Sequence, residues 1–304
     1  MTQRPARARR TVLSVPGSSD RFLTRSVDLD VDQVLLDLED GVAAAAKEPA
    51  RAAVVASLRG RQWRAPTVSV RVNGWASPWT HRDVIDVVSG AGAHLHSVVL
   101  PKVASAGQVE ALDLLLTQLE RLHGLPVGRI AIEALIEDAA ALTRVEAIAA
   151  ASPRLEALHV GPGDLMASLG LPSLQVGALG DGYPGDPLHH AYARILVAAR
   201  ASGLQAVDGP YTAVHDVAGF RDSARRAAAL GYDGKWVLHP GQIGAGTEVF
   251  TPSVEAVARA EAMVAAAAAA AERRVGAVML GAEMVDQAGV NLAQATLARV
   301  RRST

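Results

Sequence analysis

Cysteine is absent from the 304 residues, which removes disulfides, thiolate metal sites and cysteine nucleophiles together. An excess of charge of either sign is also missing: 30 lysines and arginines face 31 acids, a formal net charge of -1. A chain so balanced has no electrostatic pull toward nucleic acid or an anionic membrane, so neither is expected as a partner. No stretch of about 18 uncharged apolar residues occurs, and no membrane span is expected. The alanine run Ala265–Ala271 is flanked by Glu261, Glu272 and Arg273 and reads as helix, alanine being the best helix former. Met1–Arg10 carries Arg4, Arg7, Arg9 and Arg10, and the following Thr11–Gly17 is short and ends in Pro-Gly. That segment reads as a disordered basic tail rather than a secretory signal, and the expected location is cytoplasmic.

What the chain does have is apolar residues, at half its length, with 27 glycines and 15 prolines to punctuate them. Such a length suits two ordinary domains or one α/β barrel of roughly 250 residues. Short aliphatic or β-branched runs alternate with longer helical patterns. The predicted strands are Thr11–Val15, Gln33–Leu38, Thr67–Val72, Ser97–Leu100, Arg129–Ala134, Leu155–Val160, Leu204–Val207 and Lys235–Leu238. Predicted helices include Lys47–Leu58, Gln108–Leu122, Leu142–Ala150, Pro187–Ala201 and Asp216–Leu230.

Gln33–Leu38 is almost continuously apolar, as a parallel strand covered on both faces must be. Eight such units with right-handed crossovers close a (β/α)8 TIM barrel. A doubly wound open sheet is the rival, but Val15-Pro16-Gly17-Ser18-Ser19-Asp20 stands where a G-x-G-x-x-G would follow the first strand. The barrel is expected within residues 1–250, tail included. Residues 251–304 form a C-terminal extension: a helix from Pro252 to about Arg274, an extended Val275–Leu280, a turn at Asp286 and a last helix Asn291–Arg301.

In a barrel of this type catalytic groups sit at the C-terminal ends of the strands. Here those ends carry Asp37, Glu39 and Asp40; Arg71 and Asn73; Lys102; Glu133 and Glu137; Asp164; Asp208; and His239. Converging carboxylates repel one another unless a cation sits among them, and oxygen ligands alone favour Mg2+ or Mn2+. Buried ion pairs of Asp37, Glu39 and Asp40 with Arg71, Lys102 and Lys47 explain the same acids equally well. The planar fork of Arg71 suits a carboxylate or thioester oxygen. Lys102 can be a Schiff-base amine or a salt-bridge partner of the acidic cluster, and the salt bridge is preferred. Lys235 offers the same amine from the start of strand eight, at the wrong end. Gly161 and Gly163 allow close backbone approach beside Asp164.

Taken together these stretches resemble the HpcH/HpaI aldolase/citrate lyase superfamily, on its citrate-lyase-beta-like and malyl-CoA lyase branch. The matching segments are Ser14–Gly17, Leu36–Val42 with Lys47 and Arg51, Val70–Asn73, Leu100–Lys102, Ile136-Glu137, Ser152–Leu165, Gly234–Ile243 and Met284–Asp286. They run in the family's order over nearly the whole chain. The resemblance implies a metal-dependent barrel acting on CoA thioesters, with Glu137 and Asp164 as the protein ligands of Mg2+ and Arg71 stabilising a thioester enolate. It also implies that Asp286 is the acid/base, delivered from the extension to a neighbouring subunit's site in a homotrimer or homohexamer. Arg21, after the first strand, is a candidate for a CoA phosphate, or simply an exposed arginine at a helix start. The sequence departs from the family pattern at Asp138, Ala141, Gly241 and Ala288, and Asp138 adds an acid beside the metal ligand.

The implied reaction is Mg2+-dependent cleavage or formation of a 3-hydroxyacyl-CoA such as malyl-CoA, β-methylmalyl-CoA or citramalyl-CoA, with an acyl-CoA and a 2-oxo acid such as glyoxylate as the other side. Three alternatives stay open: a malyl-CoA thioesterase using the same site, a Schiff-base aldolase using Lys102, and a citrate lyase beta-type subunit.

Overall fold

The computed structural model describes residues 7–179, 185–272 and 276–303, the side chains of 301–303 excepted. Eight parallel strands close into a barrel in sequence order. They are β1 (Thr11–Pro16), β2 (Gln33–Asp37), β3 (Thr67–Arg71), β4 (Ser97–Leu100), β5 (Ala131–Ile136), β6 (Leu155–Val160), β7 (Gln205–Asp208) and β8 (Gly234–Val237). β1 pairs with both β2 and β8, so no strand edge is left open.

The crossovers are helical. They are α1 (Asp20–Arg25), α2 (Lys47–Gly60), α3 (Thr80–Ala91), α4 (Ala106–Leu122), α5 (Ala139–Leu142), α6 (Val145–Ala149), α7 (Pro162–Ser168), α8 (His189–Ala201), α9 (Val217–Leu230) and α10 (Ile243–Phe250). The extension adds α11 (Val254–Glu272), an antiparallel hairpin of β9 (Val278–Leu280) and β10 (Glu283–Val285), and α12 (Gln287–Ser303). No helix among the described residues is long and apolar enough to cross a membrane.

Alternation along the strands divides the side chains into two cores. Leu36, Val70, Val98, Ile132 and Leu158 point outward and pack against the helices in one large apolar cluster. Inside the barrel a smaller layer holds Val12, Leu35, Val99, Leu135, Ala157, Val207 and Trp236. Burying each larger aliphatic side chain contributes about 1.5–3 kcal/mol, so the outer cluster holds the helices against the sheet.

Below the inner layer the interior turns polar. Glu133, fully buried, accepts hydrogen bonds from Arg9, Gln33 and Ser97 at 2.7–3.1 Å and meets His159 Nε2 at 2.7 Å. Arg9 also pairs with Glu156 at 2.5 Å. Buried carboxylates need a cation, and the arginines supply it. The expected disordered basic tail is therefore corrected at its end: Arg7 pairs with Glu156, Arg9 is buried, and Arg10 pairs with Asp32 at 2.7 Å. Met1–Ala6 lie outside the described residues, as do Arg273–Val275.

Two of the other boundaries that differ from the sequence expectation do so for local reasons. β5 starts two residues late, because Arg129 belongs to the preceding turn, donating to the carbonyls of Gly92, Ala93 and Leu95. The last helix starts four residues early, at Gln287, because Asp286 caps it: its Oδ1 accepts from the Gly289 N–H at 3.0 Å. The predicted helix Leu142–Ala150 is two short helices, α5 and α6, broken at Thr143-Arg144.

Candidate active site

One parity of β5 faces the barrel interior from bottom to top: Glu133, Leu135, then Glu137 one residue past the strand end. Glu137 is 4% exposed. Its Oε1 accepts from the backbone N–H of Lys102. Gly161, following β6, packs against it so tightly that a Cβ there would overlap the Glu137 Cβ and Oε2. Pro162 opens α7, and Asp164 sits in that helix's first turn. Glu137 and Asp164 line one mouth cavity of about 220 Å3, together with Asp40, Arg71 and Trp236.

Burial pushes the Glu137 carboxyl up to about 8, and the nearby charges of Asp164 and Glu39 add to that against the Lys102 N–H and Arg71. Among the described residues neither Glu137 nor Asp164 has an ion-pair partner, and no group of three or more histidines and acids converges as a closed metal cage. Two unneutralised oxygen donors facing one cavity fit a hard divalent cation whose remaining positions go to water and substrate oxygens, the habit of Mg2+.

Arg71 ends β3 and faces the same cavity. Asp37 grips its guanidinium by two bonds of 2.7 Å, and Glu39 sits 3.1 Å from Nη1. Burial opposes its charge, but Asp37 and Glu39 outweigh that and raise its pKa further. The indole of Trp236 lies under it, 5.3 Å from ring centroid to Cζ. The ion pair and a substrate contact are compatible, since a guanidinium has five N–H donors and Asp37 uses two.

Lys102 has φ 51°, the one non-glycine residue with positive φ among the described residues. That left-handed turn costs about 1 kcal/mol or more and aims the backbone N–H at Glu137. The side chain pairs with Glu39 and, at 3.0 Å, with Asp40. Burial is outweighed by these partners and its pKa is raised, the opposite of what an imine-forming amine needs. The salt-bridge expectation holds.

The other sequence-predicted residues are more scattered. Glu133 is in mid-strand at the barrel floor rather than at the mouth. Asp208 and Lys235 face outward, joined at 2.5 Å, with Tyr192 donating to Asp208 at 2.7 Å. Asp286 is exposed at the start of α12 and lines neither mouth cavity of its own chain. Arg21 is exposed above Phe22. A second cavity of about 520 Å3, sharing Ser14, Asp40, Arg71 and Leu238 with the first, is lined by Phe22 and Arg25 instead. Sequence reasoning passed over Arg25 and Trp236; for Arg25 the signal was its position one turn beyond Arg21 on α1.

Residues 10–240 match the family model described as HpcH/HpaI aldolase/citrate lyase. The chain is 40% identical over 299 residues to the L-malyl-CoA/beta-methylmalyl-CoA lyase of Cereibacter sphaeroides, covering 95% of this chain and 94% of that one. It is 34% identical over 303 residues to the citrate lyase subunit beta of Escherichia coli, covering 100% and 97%. Among solved structures, protein CitE of Mycobacterium tuberculosis in complex with magnesium, acetoacetate and coenzyme A superposes with a TM-score of 0.75 at 31% identity, covering 98% of this chain and 100% of that one.

Proposed function

The chain belongs to the HpcH/HpaI aldolase/citrate lyase family, and on that footing we propose that it is a Mg2+-dependent carbon–carbon lyase that cleaves, or forms, a small 3-hydroxyacyl-CoA of the malyl-CoA or β-methylmalyl-CoA type. The observation that carries this is the meeting of Glu137, Asp164 and Arg71 on one cavity at the barrel mouth, in a chain 40% identical to a malyl-CoA/beta-methylmalyl-CoA lyase.

Glu137 and Asp164 are the residues that would hold Mg2+, and the same oxygen pair accepts Mn2+. When bound, the ion acts as a Lewis acid toward the oxygen that becomes the carbonyl of the 2-oxo acid. The Lys102 N–H fixes the Glu137 carboxylate, and Gly161 leaves room for it. As the substrate hydroxyl gives its proton to solvent water and the carbon–carbon bond breaks, negative charge moves to the thioester oxygen, where the free N–H groups of Arg71 can receive it. Asp37 holds the fork in place through that change. The enolate carbon then takes a proton from a carboxyl group, the role proposed for Asp286; in the condensation direction the same group removes it.

Because Asp286 is exposed and lines neither cavity of its own protomer, the extension 251–304 is proposed to reach the mouth of a neighbouring subunit in a homotrimer or homohexamer. Arg25 and Phe22, with Arg21 outside them, are the proposed surroundings of the CoA. Product analysis tests the reading: malyl-CoA with Mg2+ should yield acetyl-CoA and glyoxylate in equal amounts, whereas free CoA with intact malate marks a thioesterase.

A further inference from the structure

Behind the mouth, a column of buried polar groups runs down the barrel axis to its floor. Trp236, 4% exposed, lines the cavity that Arg71, Glu137 and Asp164 share. Its indole Nε1–H donates to His159 Nδ1 at 2.8 Å, and His159 Nε2 meets Glu133 Oε2 at 2.7 Å. An indole nitrogen can only donate, so Nδ1 must be the accepting atom; the imidazole proton is then on Nε2, directed at the carboxylate. The two rings stand edge to face at 76°. Glu133 is locked in turn by Arg9, Gln33 and Ser97, all buried.

We infer that Trp236 is a positioning residue for Arg71, and that His159 and Glu133 act through it to fix the indole plane beneath the guanidinium. The inference rests on the proposed role of Arg71 at the enolate oxygen. Asp37 anchors one edge of the guanidinium by two bonds and Glu39 stands 3.1 Å from Nη1, contacts made through its nitrogens that leave the face of the fork to another group. The indole ring at 5.3 Å supports that face, as an aromatic ring stacked on arginine does elsewhere. An indole free to rotate would not: its plane is set only because the N–H is tied to His159. The column thus gives the histidine, glutamate and arginine buried in the barrel interior the partners that each needs.

The test is a pair of variants assayed for cleavage of malyl-CoA with Mg2+, with Arg71→Lys as control. Trp236→Phe keeps a ring and loses the N–H; Trp236→Leu loses both. If the column positions Arg71, kcat falls about tenfold in the first and about a hundredfold in the second, while KM for the thioester moves less than about threefold. Full kcat in a folded Trp236→Leu protein overturns the inference. Loss in Trp236→Leu with full kcat in Trp236→Phe overturns the part given to His159 and Glu133. Undiminished kcat in Arg71→Lys, or a wild-type protein inert on the substrate, instead strikes the functional reading beneath it. Should the Trp236 variants fail to fold, nitrogen-15 spectra of wild-type protein labelled at histidine decide. His159 protonated on Nε2 alone supports the column, and a proton on Nδ1 contradicts it.

Discussion

Arg71 is held by three acids' worth of structure before any substrate arrives: Asp37 in two bonds, Glu39 at 3.1 Å and Asp40 at 4.0 Å. A lysine there keeps the charge but loses the fork, and Arg71→Lys is expected to lower kcat by about a hundredfold, measured by steady-state kinetics, with the melting temperature a control for folding. Gly161→Ala is a second test at this scale. The added methyl overlaps Glu137, and overpacking of this kind costs about 1–3 kcal/mol. Its expected signature is weaker Mg2+ binding by calorimetry at least tenfold, because the displaced group is the carboxylate itself. Wild-type affinity in that variant would mean Glu137 is not a ligand. Lys102's left-handed turn was not legible in the sequence; close approach at Gly161 was, but not that Glu137 is what it approaches, since both depend on where strands four, five and six end relative to one another. Arg71, Glu137 and Asp164 were legible as charged residues at strand ends. That they share one cavity is a fact of strand stagger which the sequence does not state.

Among the elements, the strands were legible because parallel strands covered on both faces must be apolar along their length. Two of the misplacements occurred where one side chain served a turn. Arg129 capped three carbonyls and delayed β5; Asp286 capped α12 and advanced it. The buried Arg9 was hidden for another reason: nothing local distinguishes it from the arginines before it, and its partners Glu133 and Glu156 lie on β5 and β6.

That floor makes a pH prediction. Burial opposes the charge of Glu133, but Arg9, His159 and Ser97 outweigh it and hold its carboxyl well below the ordinary range. A carboxyl depressed in the folded state contributes stability that is present above its unfolded pKa and lost as pH falls through the depressed one. Glu133→Gln should therefore unfold at lower urea at neutral pH, by about 3 kcal/mol. The gap from wild type should narrow only in acid, below about pH 4. A gap that stays constant into strong acid would show that the Glu133 charge is not what holds the floor.

For the whole molecule, the barrel carries the cavity and the extension carries Asp286, and the two do not meet within one described chain. If Asp286 serves a neighbour, Asp286→Asn and Glu137→Gln proteins, each inactive alone, should regain activity when their subunits are dissociated and reassembled together. Random mixing restores sites that have a sound mouth and a sound extension. Mixed subunits with no activity above that of the separate variants, in an oligomer shown by mass to be mixed, would return Asp286 to the role of a helix cap alone.

At the centre stands a carboxylate pair proposed to hold the cation with which a carbon–carbon bond is broken. The most direct measurement follows one 3-hydroxyacyl-CoA, malyl-CoA, with and without Mg2+, in wild-type and Glu137→Gln protein, scoring CoA, acyl-CoA and oxo acid in the same sample. Acetyl-CoA and glyoxylate appearing together, abolished by EDTA and by Glu137→Gln, is the predicted result. Undiminished turnover without the metal or without that carboxylate would contradict it.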